Sequence, residues 1–352
     1  MGLLDETVAA IGPLDEEALR ESRDRWNHLC LGSGRLGKME DMVCQFAGIT
    51  GEAVPDVPKR CMVIASADHG VAKHNLSAYP ISTTVEMTKN YLISKGAGAN
   101  AMATYCGADM VVVDMGIAAD MSGVPGLLDR KVAWGTDDFS EGPAMSREEA
   151  IQAIETGIEI VEDKVKQGYR AFLVGEMGIS NTTSAACILG AFNHWNAKEV
   201  TGRGTNISDE RLLRKIAIVQ QALDVNQPNP NDGLDVMAKV GGFELACLTG
   251  VILGAAAHHS LTVIDGFNTT ACAFAARAIA PESVHYLMAS HLSAEQAHQK
   301  SLHALGLEEY VDLGFRLGEA SGASIQMKML DTALLVFQEC VTEEELGGRD
   351  HE

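Results

Sequence analysis

The chain has 352 residues, a formal charge of -21, 46% hydrophobic residues and only 5% aromatic ones. That length suits one large domain, or a large and a small one, and abundant Gly and Ala favour helices packed closely on a buried sheet over a β-sandwich. So acidic a protein lacks the basic face that nucleic acid or an anionic membrane requires, although local backbone N–H groups and a few placed cations can still hold a phosphate.

Residues 1–17 carry acids early and no basic n-region, which argues against a signal peptide. Residues 1–30 read as helices, the second opened by Pro13 and Leu14-Asp15-Glu16-Glu17. A Gly-rich connection over 32–37 precedes a helix over 38–48. Four short apolar runs read as buried strands: 61–65, 110–114, 170–176 and 261–266. Each contains at its end, or leads within a few residues to, an acid with Gly no more than two residues away, at Asp68, Asp114, Glu176 and Asp265. This is the rhythm of an α/β fold with a parallel Rossmann-like sheet wrapped by helices, its functional edge at the carboxyl ends of the strands. The most apolar stretch, 241–257, contains Glu244 and reads as a buried helix rather than a membrane span. Residues 227–234 form a turn-rich loop, helix resumes after Ile325, and the acidic tail from Glu343 reads as frayed. The expected division is a small helical domain from 1–30 and 331–352 beside a large α/β domain from 31–330. Eight cysteines without a CxxC pair read as reduced core thiols of a cytoplasmic protein.

Several constellations could carry chemistry. In Gly175-Glu176-Met177-Gly178-Ile179-Ser180-Asn181-Thr182-Thr183 a strand ends, glycines admit a ligand to the backbone, and a helix starts whose free N–H groups attract phosphate. The same stretch is equally an ordinary turn capped by Thr182 or Thr183. Glu319, between glycines in Leu317-Gly318-Glu319-Ala320-Ser321-Gly322, is a general base if buried and a solvated loop charge if not. Asp68-His69 reads as structural hydrogen bonding rather than metal ligation. Gly96-Ala97-Gly98-Ala99-Asn100-Ala101 matches the G-x-G-x-x-A dinucleotide fingerprint and raises an NAD-dependent oxidoreductase as an alternative. Val85, Tyr91 and Leu92 before it have helical spacing, whereas the fingerprint needs a strand there.

Seven blocks in order across residues 32–330 resemble the nicotinate-nucleotide:dimethylbenzimidazole phosphoribosyltransferase (CobT) family. They are Ala67-Asp68-His69-Gly70, Val113-Asp114-Met115-Gly116-Ile117, the Gly175 block, Gly241-Gly242-Phe243-Glu244, Asp265-Gly266-Phe267, Ser290-His291-Leu292-Ser293-Ala294-Glu295 and the block from Arg316 to Ala323. The resemblance implies transfer of ribose phosphate from nicotinate mononucleotide to the lower-ligand base of a cobamide, with inversion and without metal or cofactor. It implies Glu319 as catalytic base, Lys215 in the active site, and Glu176, Gly178, Asn181, Thr182, Gly204, Ser293 and Gly322 around the nucleotide and its phosphate. It also implies a dimer whose site borrows from its partner.

Departures from the benzimidazole-using pattern fall in the base pocket. Tyr79 stands where such members carry Ser, Met87 where they carry Gln, and Met177 where Leu is usual. This resembles the phenol-activating (ArsA-type) branch, which attaches phenol or p-cresol and pairs with a homologous subunit. Benzimidazole activation is the alternative, and a non-catalytic partner subunit a third reading that retention of Glu319 and Lys215 opposes.

Overall fold

The computed structural model describes residues 2–347; Met1 and residues 348–352, the end of the acidic tail, lie outside the described residues. Six strands form one parallel sheet: β1 (Arg60–Ala67), β2 (Asp109–Gly116), β3 (Leu128–Asp129), β4 (Ala171–Met177), β5 (Leu261–Val263) and β6 (Leu287–Met288). Their order is β3-β2-β1-β4-β5-β6, with every neighbouring pair parallel. β1 is buried along its whole length, as a strand covered on both faces must be. Its side chains alternate, Cys61, Val63, Ala65 and Ala67 joining one apolar cluster and Met62 and Ile64 the other.

The first part of the chain gives helices α1 (Leu3–Ala10), α2 (Glu16–His28), α3 (Lys38–Thr50), α4 (Thr83–Lys89) and α5 (Gly98–Cys106). The middle gives α6 (Arg147–Lys166), α7 (Asn181–Asn193), α8 (Ala197–Val200), α9 (Asp209–Asn226), α10 (Gly233–Val240) and α11 (Phe243–Ala257). Finally come α12 (Phe267–Ile279), α13 (His298–Leu305) and α14 (Ser321–Glu339). Apolar residues of α6, α7, α10, α11 and α12 build the cluster on one sheet face, and those of α2, α3, α5 and α14 the cluster on the other. α11 is buried from Phe243 to Ala256, and among the described residues no helix is long and apolar enough to cross a membrane.

Between β1 and β4 the connections diverge, β1 leading to β2 on one side and β4 to β5 on the other. In open α/β sheets the ligand crevice lies at the carboxyl ends of the strands at such a reversal. Here those ends are Ala67, followed by Asp68-His69, and Glu176-Met177.

Candidate active site

Glu176 is buried near the end of β4. Its Oε2 accepts a hydrogen bond from Asn181 Nδ2, and Asn181 Oδ1 accepts one from Asn268 Nδ2 at 3.1 Å. Burial pushes the Glu176 carboxyl up to about 8 despite the pull of these asparagines, and the charges of Glu244 and Asp265 push the same way.

Glu319 reaches the same crevice from the loop ahead of α14. Gly318, Glu319 and Ala320 all take left-handed conformations, with φ of 81°, 60° and 58°, which strains the two residues that carry a Cβ. Gly175 makes room for this turn, since a Cβ there would fall 2.6 Å from Ala320 N and 2.8 Å from the Glu319 carbonyl carbon. A Cβ on Gly318 would fall 2.9 Å from Glu176 Oε1. Asp265 fixes the helix behind the turn: its Oδ1 accepts from the N–H groups of Gly322 at 2.6 Å and Ala323 at 3.2 Å. Burial still pushes Asp265 up to about 7 against those amides.

Burial also raises the Glu319 carboxyl, opposed by the Tyr91 hydroxyl and the Ala99 backbone N–H. Ala99 sits in the first turn of α5, so the Gly96–Ala101 stretch serves this carboxylate. A Cβ on Gly98 would lie 2.9 Å from Leu317 Cδ2 and 4.0 Å from Glu319 Oε2. What precedes the stretch is α4 and a π-helical turn, Asn90–Ser94. It is no dinucleotide fingerprint.

The other end of the crevice suits an anion. Ser180, at φ 79°, precedes α7 without a side-chain cap, and Thr182 is engaged elsewhere. Lys215 of α9, buried, donates through Nζ to Thr182 Oγ1 at 2.8 Å and to the Gly202 carbonyl at 3.3 Å. Burial pulls its ammonium down to about 8, with Glu295 opposing. Gly204 adjoins it, for a Cβ there would lie 3.4 Å from Lys215 Nζ. Ser293 gives its N–H to His298 Nδ1 at 2.9 Å, and Gly322 packs on the ring of His291.

Behind Gly178, whose Cβ would fall 2.6 Å from the Ala67 carbonyl and 3.2 Å from Glu244 Oε1, lies a buried pair. His69 Nε2 and Glu244 Oε1 are 2.6 Å apart. Burial pulls the His69 imidazole down, but Glu244 overrides it and leaves the ring raised. Among the described residues no group of three or more His, Cys, Asp or Glu could hold a metal ion.

Met87 and Met177 are half-buried against the apolar cluster that contains Tyr91. Tyr79 is 57% exposed, and its loop is tied to the segment after Gly204: Ala78 N–H donates to Thr205 Oγ1 at 2.8 Å and Arg211 Nη1 to the Ser77 carbonyl at 2.7 Å. The structure therefore brings Glu176, Asn181 and Glu319 together, places Lys215, Thr182 and Gly204 in one cluster, and leaves Tyr79 at the surface. Sequence reasoning missed Asn268, Tyr91 and the capping role of Asp265. Asp265 carried a signal, an acid beside Gly after an apolar run; Tyr91 read only as an apolar helix position and Asn268 as nothing.

A family model described as phosphoribosyltransferase matches residues 11–347. The chain is 45% identical to a nicotinate-nucleotide–dimethylbenzimidazole phosphoribosyltransferase from Chloroflexus aggregans, over 99% of this chain and 98% of that one. It is 42% identical to the protein of the same name from Geobacter metallireducens, over 99% and 100%. The crystal structure of CobT from Thermus thermophilus superposes with a TM-score of 0.91 at 36% identity, covering 95% of this chain and 100% of that one. With two buried carboxylates in one crevice and a buried lysine beside an uncapped helix start, the chain belongs to the nicotinate-nucleotide:dimethylbenzimidazole phosphoribosyltransferase (CobT) family.

Proposed function

We propose that the protein moves the 5-phosphoribosyl group of nicotinate mononucleotide onto a lower-ligand base for cobamide synthesis, with Glu319 as general base. The observation that carries this reading is a Gly-flanked, buried Glu319 held in a left-handed turn against Glu176. The start of α7, with no side-chain cap, and the Lys215 ammonium supply phosphate contacts, with Thr182, Gly204, Ser293 and Gly322 near them. Glu176, steadied by Asn181, faces the ribose, and Gly178 lets the backbone approach it.

In the reaction the acceptor attacks C1′ from the α face and gives its proton to Glu319. The C1′–N bond breaks with its electron pair passing to the pyridinium nitrogen, so nicotinate leaves neutral at that nitrogen and configuration inverts. The pyridinium is already a cation, and positioning with electrostatic stabilisation supplies much of the rate.

For the acceptor we infer a phenol, p-cresol being the type. Met87 and Met177 offer thioether surface and no donor to a second ring nitrogen, and Tyr79 would narrow the mouth only if its loop folds inward. Dimethylbenzimidazole is the second reading, favoured by the names of the relatives. The test is nicotinate mononucleotide with equal p-cresol and dimethylbenzimidazole, read by product mass, with and without a homologous partner chain. An O-linked riboside phosphate supports the phenolic reading; the benzimidazole product alone removes it; no transfer from the nucleotide under any condition removes the phosphoribosyltransferase reading.

We also infer a dimer, with a homologous subunit as partner. Tyr79, Ile81, Ile93 and Leu317 are exposed on segments beside the crevice, where a second chain would cover them. The helical unit of residues 1–30 and 331–352 is supported by α2 packing on α14 through Trp26 and Phe337, ring centroids 4.7 Å apart. It is opposed by α1, whose Leu4 joins the core on the other sheet face.

A further inference from the structure

His298 is a buried titratable residue to which the reaction scheme gives no task. It adjoins a loop, residues 289–297 between β6 and α13, that touches three parts of the crevice. Glu295 Oε2 packs so closely on Gly202 that a Cβ there would fall 1.9 Å from it, and the Gly202 carbonyl holds Lys215 Nζ at 3.3 Å. The ring of His291 packs on Gly322, just past the turn of Glu319. Ser293 lies over the start of α12, its Oγ 3.6 Å from where a Cβ on Gly266 would stand, and that helix start has no side-chain cap.

His298, the first residue of α13, is fully buried, and its hydrogen bonds settle which ring nitrogen carries the hydrogen. Nδ1 receives the Ser293 N–H at 2.9 Å, so it is the bare nitrogen. A neutral ring then has its hydrogen on Nε2. That nitrogen donates to Thr270 Oγ1 at 3.1 Å, and the Thr270 hydroxyl donates onward to the Gly266 carbonyl at 2.9 Å. Burial, reinforced by His291, pulls the imidazole down to about 3, so the ring is neutral at ordinary pH. Only one tautomer gives every donor in this chain an acceptor. The amides on either side of Ser293 are used as well: Leu292 N–H donates to the Val311 carbonyl at 2.7 Å and Ala294 N–H to that of Phe315 at 3.1 Å. The Ser293 hydroxyl takes no part in these bonds and is left to meet a ligand.

We propose that His298 is a positioning residue for the nucleotide: in its Nε2–H tautomer it pins the Ser293 amide to the first turn of α12, so that the Ser293 hydroxyl faces the phosphate of the bound nucleotide. This rests on the crevice binding nicotinate mononucleotide with Ser293 among its contacts. His298 itself touches no substrate and moves no proton. It keeps the loop ordered before the nucleotide arrives, so little conformational freedom is lost on binding.

The test uses the two amides that each imitate one nitrogen of the ring. An asparagine side chain carries an acceptor oxygen where Nδ1 of a histidine stands, and a glutamine an amide donor where Nε2 stands. His298→Asn should therefore keep the Ser293 bond and hold Kd for nicotinate mononucleotide within about twofold of wild type, whereas His298→Gln should raise it about tenfold, the scale of one hydrogen bond. In both, kcat at saturating nucleotide should stay within about threefold, because no reacting group is touched. Thr270→Val leaves His298 in place but removes the acceptor that selects its tautomer. It should raise Kd roughly three- to fivefold, and it carries the test if His298→Gln does not fold. Equal rises in Kd for the two His298 variants, with equal drops in melting temperature, would make His298 a core histidine and overturn the proposal. So would a Kd unchanged in both His298→Gln and Thr270→Val. Ser293→Ala run in parallel separates the premises: an unchanged Kd there removes Ser293 from the nucleotide and the proposal with it. A raised Kd there, with both His298 variants at the wild-type value, removes only the role of His298. Failure of the wild type to bind nicotinate mononucleotide at all removes the phosphoribosyltransferase reading itself.

Discussion

Whether Glu319 and Lys215 act on the reaction depends on their protonation in a dry crevice. Glu319→Gln keeps shape and neutral hydrogen bonding but cannot accept a proton, so turnover should fall by about two to four powers of ten while the nucleotide still binds. Single-turnover kinetics with binding measured separately checks this; turnover within about threefold of wild type would mean that another group takes the proton. Lys215 makes a different prediction. Burial holds its ammonium at about 8, below the ordinary 10.5, so in the free enzyme the charge is lost as pH rises through about 8. The value of kcat/KM for the nucleotide should fall on that alkaline side, because kcat/KM reports the free enzyme. Lys215→Met should lose this limb and raise KM roughly ten- to hundredfold, the scale of one charge-assisted hydrogen bond. An alkaline limb that persists in the variant would assign it to another group.

At the scale of elements, the site depends on how α14 begins. Asp265 caps it through Gly322 and Ala323, and the turn that carries Glu319 hangs from that cap. Asp265→Ala leaves two buried amides without an acceptor and should cost roughly 1–3 kcal/mol in urea unfolding, with kcat falling more than nucleotide affinity. Asp265→Asn keeps an acceptor oxygen and should recover most of that stability; if both variants unfold alike, the cap is not what holds the turn. The strands that frame this device were legible because β1, β2 and β4 are apolar runs with an acid and a Gly at or just past their ends. β3 and β6 were not, being two residues each and defined only by pairing with their neighbours. α11 was legible as a buried helix from length and apolarity alone. Of the site, Glu176 and Glu319 were readable from their flanking glycines, which their close backbone contacts require. Tyr91 and Asn268 were not, because their roles arise from contacts distant in sequence. Tyr79 read as a pocket residue and lies at the surface, since nothing local reveals that Thr205 and Arg211 fasten its loop.

Across the whole molecule, the crevice concentrates buried acids, and this sets how stability should vary with pH. An acid whose folded value lies above its ordinary one keeps its proton longer in the folded chain. For Glu176 that window runs from 4.5 to about 8, and for Asp265 from 3.8 to about 7. Within it the native chain binds more protons than the unfolded one, so rising pH removes stability. His69, a raised base, acts in the same direction: its contribution is present below 6.5 and is lost as pH climbs through its folded value. Lys215 has the opposite sign, but only between about 8 and 10.5. Asp138, held down to about 2 by hydrogen bonds from Ser140, Lys73 and His74, loses its contribution only on the acid side of 3.8. The ligand-free protein should therefore melt at progressively lower temperature from about pH 5 to about pH 8. Glu176→Gln keeps an oxygen for Asn181 and removes the titration, so its slope should be visibly shallower than that of wild type. The nucleotide is a net anion, but its pyridinium ring, placed beside Glu176 and Glu319, favours ionised carboxylates there, so it should raise the melting temperature more at about pH 8 than at about pH 6. Calorimetric scans of both proteins across this range decide the matter: parallel slopes would show that Glu176 does not carry the proton its burial demands.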